Sequence, residues 1–139
     1  MSDHAHPVDP DRVAAARARQ LGPAEAGRLR DLLTVLNDPV RARVLTALLA
    51  TDELCVGDVA LAVDVNEDAA TYALRVLRRA GLVKRRRAGR FGYYRIADGG
   101  TRDELATALE QLRRLGDHGR RAHHGRGAHH VDEDDAPPT

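Results

Sequence analysis

The chain has 139 residues, 42% of them hydrophobic, which is enough for one core of ordinary size with some length left at the ends. Its formal net charge is only +1, its single cysteine cannot make an internal disulfide, no apolar run is long enough to cross a bilayer, and the opening MSDHAHPVDPD lacks the charged-then-apolar pattern of a signal peptide. These features argue against a membrane or disulfide-stapled protein and predict a cytoplasmic one.

Residues 1–22 predict a flexible arm with room for a short helix over 11–20, ended by Gly22-Pro23. From Ala24 to Leu36 the residues Leu29, Leu32, Leu33 and Leu36 recur at helical spacing. Asn37-Asp38-Pro39 stops that helix and starts another, because Asp38 can accept from free backbone N–H groups and Pro39 loses nothing in a first turn. The new helix buries Val40, Val44, Leu45, Leu48 and Leu49. A short helix from about Cys55 to Val63 turns Val56, Val59, Ala60 and Val63 inward. After Asp64-Val65-Asn66 a further helix runs from Glu67 to Ala80, capped by Asn66, lined inside by Ala70, Ala73, Leu74, Leu77 and Ala80, and ended by Gly81. Two short helices so close together are what a helix-turn-helix requires.

Two strand-like runs follow, Leu82 to Arg87 and Phe91 to Ile96, joined through Ala88-Gly89-Arg90 as a hairpin. Thr101 can cap a last helix that reaches about Leu115, with Leu105, Ala108, Leu109, Leu112 and Leu115 on one stripe. The domain is therefore expected over 23–116. Residues 117–139 are rich in His and acids, lack apolar content and predict a disordered tail. The fold class is mainly α with a small β-hairpin, a winged helix-turn-helix.

The charge is unevenly spread. Between Ala69 and Ala97 stand Arg75, Arg78, Arg79, Lys84, Arg85, Arg86, Arg87, Arg90 and Arg95, with not one acid. The predicted partner is double-stranded DNA. Asp68, Thr71, Tyr72 and Arg75, with Glu67 nearby, are placed to read base edges in a major groove. Arg78, Arg79 and the run Lys84, Arg85, Arg86, Arg87 are candidates for phosphates, and Arg90 for the backbone or an adjacent minor groove. The bland alternative is a set of solvated charges on an ordinary small domain.

The segments LNDPVRARVL, ELCVGDVA, LRVLRRAGLV and AGRFGYYRI, spread in order over Leu32 to Asp98, resemble the ArsR/SmtB family of winged-helix metal-sensing regulators. The resemblance implies a homodimer built through the first and last helices, binding to a near-palindromic operator, and a metal that alters DNA affinity. Its metal sites do not carry over intact. Where one family site uses Cys-x-Cys, this chain has Cys55 and Gly57; where another begins Asp-x-His, it has Asp98 and Gly100. Asp103, Glu104 and His118 are left as a displaced variant of the second site.

The chain's seven histidines are His4, His6, His118, His123, His124, His129 and His130, all in the arms or just after the last helix. With Met1 removed, Ser2-Asp3-His4 would offer an amine, two amides and an imidazole to a square-planar Ni(II) or Cu(II). The tail composition suits Ni(II) or Zn(II). The expected function is thus a DNA-binding regulator, metal-responsive to nickel or zinc, and not an enzyme. The alternatives are a regulator that needs a partner protein or responds to no metal, because Glu67 and Asp68 face the phosphates, and a His-rich metal-binding or storage protein.

Overall fold

The computed structural model describes residues 6–134, with side chains described for 6–121. In chain order these form helices α1 (Pro10–Ala18), α2 (Pro23–Leu36) and α3 (Pro39–Leu49), a two-residue strand β1 (Leu54–Cys55), helices α4 (Val56–Val63) and α5 (Glu67–Arg79), strands β2 (Val83–Ala88) and β3 (Phe91–Ile96), and helix α6 (Thr101–Asp134). Local chemistry sets the helix starts. Asp38 accepts from the Arg41 amide at 3.0 Å and Asn66 from the Ala69 amide at 2.8 Å, and Pro23 and Pro39 occupy first-turn positions. The Arg41 side chain then reaches back to the carbonyls of Thr34 and Val35, which joins the end of α2 to the start of α3.

The core lies between α3, α4, α5 and the sheet. Val44, Leu45 and Leu48 meet Val59, Ala60 and Val63, then Ala70, Ala73, Leu74 and Leu77, with Val83, Tyr94 and Ile96 closing it from the strands. Ala80 departs from its expected place on the inner face of α5. It is exposed, because the helix ends at Arg79 and the chain turns away at Gly81.

Both ends of the path through α5 are made by the same device. After α4, Asp64 takes a left-handed conformation (φ 58°), the Asp64 amide donates to the Leu61 carbonyl at 3.3 Å, and the Val65 amide donates to Ala60 at 3.0 Å. After α5, Gly81 is left-handed (φ 81°), its amide donates to Arg78 at 2.9 Å, and that of Leu82 donates to Leu77 at 3.1 Å. Each is a Schellman turn, which satisfies carbonyls that the helix end would leave open. Val65 and Leu82, one residue past each turn, pack against the core.

The strands form an antiparallel sheet in the order β1-β3-β2, with Leu54 opposite Tyr94 and Val83 opposite Ile96. Ala88 pairs with Phe91, so the connection is only Gly89-Arg90, with Gly89 at φ 60° as a tight hairpin needs. β1 is not expected from the sequence, since two residues are too few to show a strand period.

The last helix differs from its sequence-based extent. It runs from Thr101 to Asp134, beyond the expected end near Leu115. Ion pairs one turn apart, Glu110 with Arg113 and Arg114 and Asp117 with Arg120, support it past Gly116 on its exposed surface. The Thr101 hydroxyl does not cap the new helix but donates back to the Asp98 carbonyl at 2.9 Å. Arg102 fixes α6 to the core by a fork onto the end of α3, donating to Leu49 and Thr51 carbonyls at 2.8 Å each and to Leu48 at 3.2 Å. A cation suits the negative end of a helix.

These joints can be tested by their stability. Arg102→Ala strips three carbonyls of a charged donor and is expected to cost about 1.5–3 kcal/mol in urea unfolding, with an unchanged denaturant slope. Asp64→Val places a β-branched residue in the left-handed region and is expected to cost about 1–2 kcal/mol, whereas Asp64→Gly is expected not to destabilise.

Candidate nucleic-acid interface

Helix α5 is sharply two-faced. Ala70, Ala73, Leu74 and Leu77 are buried, and Asp68, Tyr72, Arg75, Arg78 and Arg79 are exposed on the opposite side, with Thr71 partly so. Tyr72 leaves 59% of its surface accessible. A helix with its polar face outward, capped by Asn66 at its start and ended by the left-handed Gly81, has the shape that enters a major groove.

The turn at Gly81 sends β2 back beside the C-terminal half of this helix. Arg75, Arg78, Arg79, Lys84 and Arg85 therefore line one cleft of about 620 Å³ together with Gly81 and Val83. Among the described residues, none of these five cations is ion-paired with a carboxylate. Like charges gathered with no carboxylate at ion-pair distance leave a positive field over the cleft.

Although Lys84 and Arg85 both border the cleft, the run 84–87 as a whole is divided, because successive strand residues point to opposite faces. Arg85 and Arg87 stand opposite Tyr94 and Gly92, whereas Lys84 and Arg86 stand opposite Arg95 and Tyr93. The Arg85 guanidinium lies over Gly92, where an added Cβ would come within 2.6 Å of its Nε, and sits 5.9 Å from the Tyr94 ring centre. Gly92 thus makes room for Arg85, a role that nothing local in FGYYRI announces. Arg87 and Arg90 are exposed near the hairpin tip, and Phe91 is exposed there too, its ring centre 6.3 Å from that of Tyr93. Arg86 is placed differently from the rest, in a bidentate ion pair with Glu53.

The metal candidates are not brought together. His6 and His118 are described and exposed; His4 lies outside the described residues, as do the side chains of His123, His124, His129 and His130. Among the described residues no three His, Cys, Asp or Glu converge on a common point. The variant site of Asp103, Glu104 and His118 does not form within one chain, because His118 lies fourteen residues beyond Glu104 on the same helix, about 21 Å along its axis. Cys55 is a partly buried free thiol at the start of α4.

A second surface is apolar. α2 buries none of its residues completely, and Leu29, Leu32 and Leu33 remain substantially exposed, as do Leu112 and Leu115 on α6. Leu21, Leu29, Leu33, Leu36, Leu109 and Leu112 border a groove of about 670 Å³ between these helices. Leucine at such density outside a core marks an association surface.

A helix-turn-helix with a positive outer face, followed by a basic β-hairpin, defines the class: a winged helix-turn-helix DNA-binding protein. A profile described as a helix-turn-helix domain matches residues 36–86. The chain is 41% identical over 95 residues to the transcriptional repressor SmtB homolog of Synechocystis sp., covering 65% of this chain and 71% of that protein. Its fold is similar to the crystal structure of the antimony-specific transcriptional repressor AntR, with 30% identity, a TM-score of 0.60, and coverage of 81% of this chain and 99% of that one. It is also similar to a homodimeric winged helix-turn-helix domain of a possible ArsR-family regulator from Mycobacterium bovis, with 27% identity, a TM-score of 0.57, and coverage of 70% and 88%. The chain belongs to the ArsR/SmtB family of transcriptional regulators, which are DNA-binding proteins and not enzymes. Among the described residues, no helix is long and apolar enough to cross a membrane.

Proposed function

We propose that this protein is a homodimeric, metal-responsive regulator that binds a near-palindromic operator through α5 and the β2–β3 hairpin. The observation that carries the reading is the cleft in which Arg75, Arg78, Arg79, Lys84 and Arg85 converge without a carboxylate partner among the described residues. Phosphates supply the missing counter-charge. Asp68, Thr71, Tyr72 and Arg75 face the base edges, while Arg78, Arg79, Lys84, Arg85, Arg87 and Arg90 hold the backbone.

The apolar surface of α2 and α6 supports the dimer. A second copy of the chain would cover the same leucines on both partners, as an isologous interface does, and the Mycobacterium bovis neighbour is itself homodimeric. Two α5 helices related by a two-fold axis reach half-sites about one helical turn of DNA apart, or a multiple of it.

Metal response rests on family membership, on the antimony specificity of AntR, and on the donors in the arms. The folded family sites are interrupted at Gly57 and Gly100, so His4, His6, His118, His123, His124, His129 and His130 are the available ligands, suited to nickel or zinc. Imidazoles bind metal only when neutral, so protons compete with the metal for such a set.

A duplex selected by the purified protein from a random pool provides the test. Arg78→Ala and Arg79→Ala are each expected to weaken binding and to lower the slope of log affinity against log salt by about 2, one phosphate contact being lost in each subunit. Affinity and slope unchanged in both variants would contradict the reading. Leu33→Glu with Leu112→Glu is expected to give a monomer by light scattering and to abolish tight binding to the two-half-site duplex. Of nickel, zinc and copper added in turn to the same complex, at least one is expected to change the affinity; no change with any would remove the metal-responsive part and leave the DNA-binding part standing.

A further inference from the structure

Five cations lie on the hairpin between Lys84 and Arg90, and a run of this kind reads naturally as five phosphate contacts. Arg86 is the exception. Its Nε donates to both carboxylate oxygens of Glu53, at 3.0 and 3.2 Å, and its Nη2 donates to Oε1. Its guanidinium carbon also lies 5.0 Å from the centre of the Tyr93 ring.

The sheet register explains how three residues so far apart in sequence meet. Arg86 on β2 and Cys55 on β1 both stand opposite Tyr93 on the central strand β3. Side chains alternate along a strand, so Glu53, two residues before Cys55, comes to the face shared by Tyr93 and Arg86. Arg86 therefore crosses the whole width of the sheet over an aromatic ring and ends on the segment that leads into α4. Only 25% of the Glu53 side chain is accessible, and the hydrogen-bonded guanidinium holds its carboxyl below the ordinary glutamate range. A charge so neutralised has little left for a phosphate.

We propose that Arg86 is a positioning residue, and that the Glu53–Arg86–Tyr93 latch sets the angle of the hairpin against the helix-turn-helix so that both meet one duplex together. The proposal rests on the DNA-binding reading above. Its mechanical half does not.

Glu53→Gln separates the possibilities by sign. If Arg86 were a phosphate contact held back by Glu53, releasing it would tighten DNA binding and steepen the salt dependence. The latch predicts the reverse: affinity for the selected duplex falls about three- to fivefold with an unchanged salt slope, the scale of one weak exposed ion pair in each subunit. Arg86→Lys keeps the charge but loses the planar fork, and is expected to behave like Glu53→Gln. The double variant Glu53→Gln/Arg86→Ala is expected to bind no worse than Arg86→Ala alone. Arg85→Ala, the control, lowers the salt slope by about 2, one contact per subunit.

Amide hydrogen exchange of the DNA-free protein gives the independent readout. Exchange over residues 84–93 is expected to rise in Glu53→Gln while that of α3 stays as in the wild type. Tighter DNA binding by Glu53→Gln, a salt slope lowered by about 2 in Arg86→Ala, or unchanged hairpin exchange would each overturn the latch. Loss of specific binding by the wild-type protein would instead strike the DNA-binding reading, and the exchange result would still decide whether Glu53 restrains the hairpin.

Discussion

Two left-handed residues, Asp64 and Gly81, govern how this chain presents α5. Each ends a helix by returning two amides to otherwise open carbonyls and drops an apolar residue, Val65 or Leu82, onto the core. With α4 closed off at Asp64, the start of α5 capped by Asn66 and its end turned at Gly81, the rotation of α5 is no longer free. The stripe from Ala70 to Leu77 must face inward, which leaves Thr71, Tyr72 and Arg75 on the outside and directs β2 back along the helix. The positive cleft follows from that return path, since Arg78, Arg79, Lys84 and Arg85 lie on either side of the turn.

The rest of the molecule divides into what holds this unit and what it leaves open. Arg41 and Arg102 hold it: each places a guanidinium on the carbonyls at a helix end, one joining α2 to α3 and the other joining α6 to α3. Charge-assisted bonds of this kind are among the stronger polar contacts available to a small domain. The leucines of α2 and α6 are left open, and their exposure on a single chain is consistent with the shared surface of a two-fold dimer.

Much of this is legible in the residues themselves. Asp38, Asn66 and Gly81 announce helix ends by their side-chain chemistry or their lack of a side chain, and the leucine and alanine spacing in α3 and α5 identifies the buried faces. The acid-free basic window also points to the surface that carries the cleft. What the chain does not disclose depends on partners far away in sequence. Glu53 meets Arg86 across 33 residues and Arg102 meets Thr51 across 51, and neither pair leaves a local pattern. One signal in the basic run is readable from spacing alone: the period of two in a strand splits Lys84 and Arg86 from Arg85 and Arg87. The length of α6 is hidden for another reason, because glycines and histidines do not advertise a helix that surface ion pairs help to support.

If α5 and the hairpin form one surface for duplex DNA, both must respond together when the duplex arrives. Backbone amide shift mapping by NMR, during titration with the selected duplex, tests this most directly. The largest changes are expected on residues 67–79 and 84–93, with α2 little affected. Changes concentrated on α2 and α6, with α5 unmoved, would contradict a shared DNA surface.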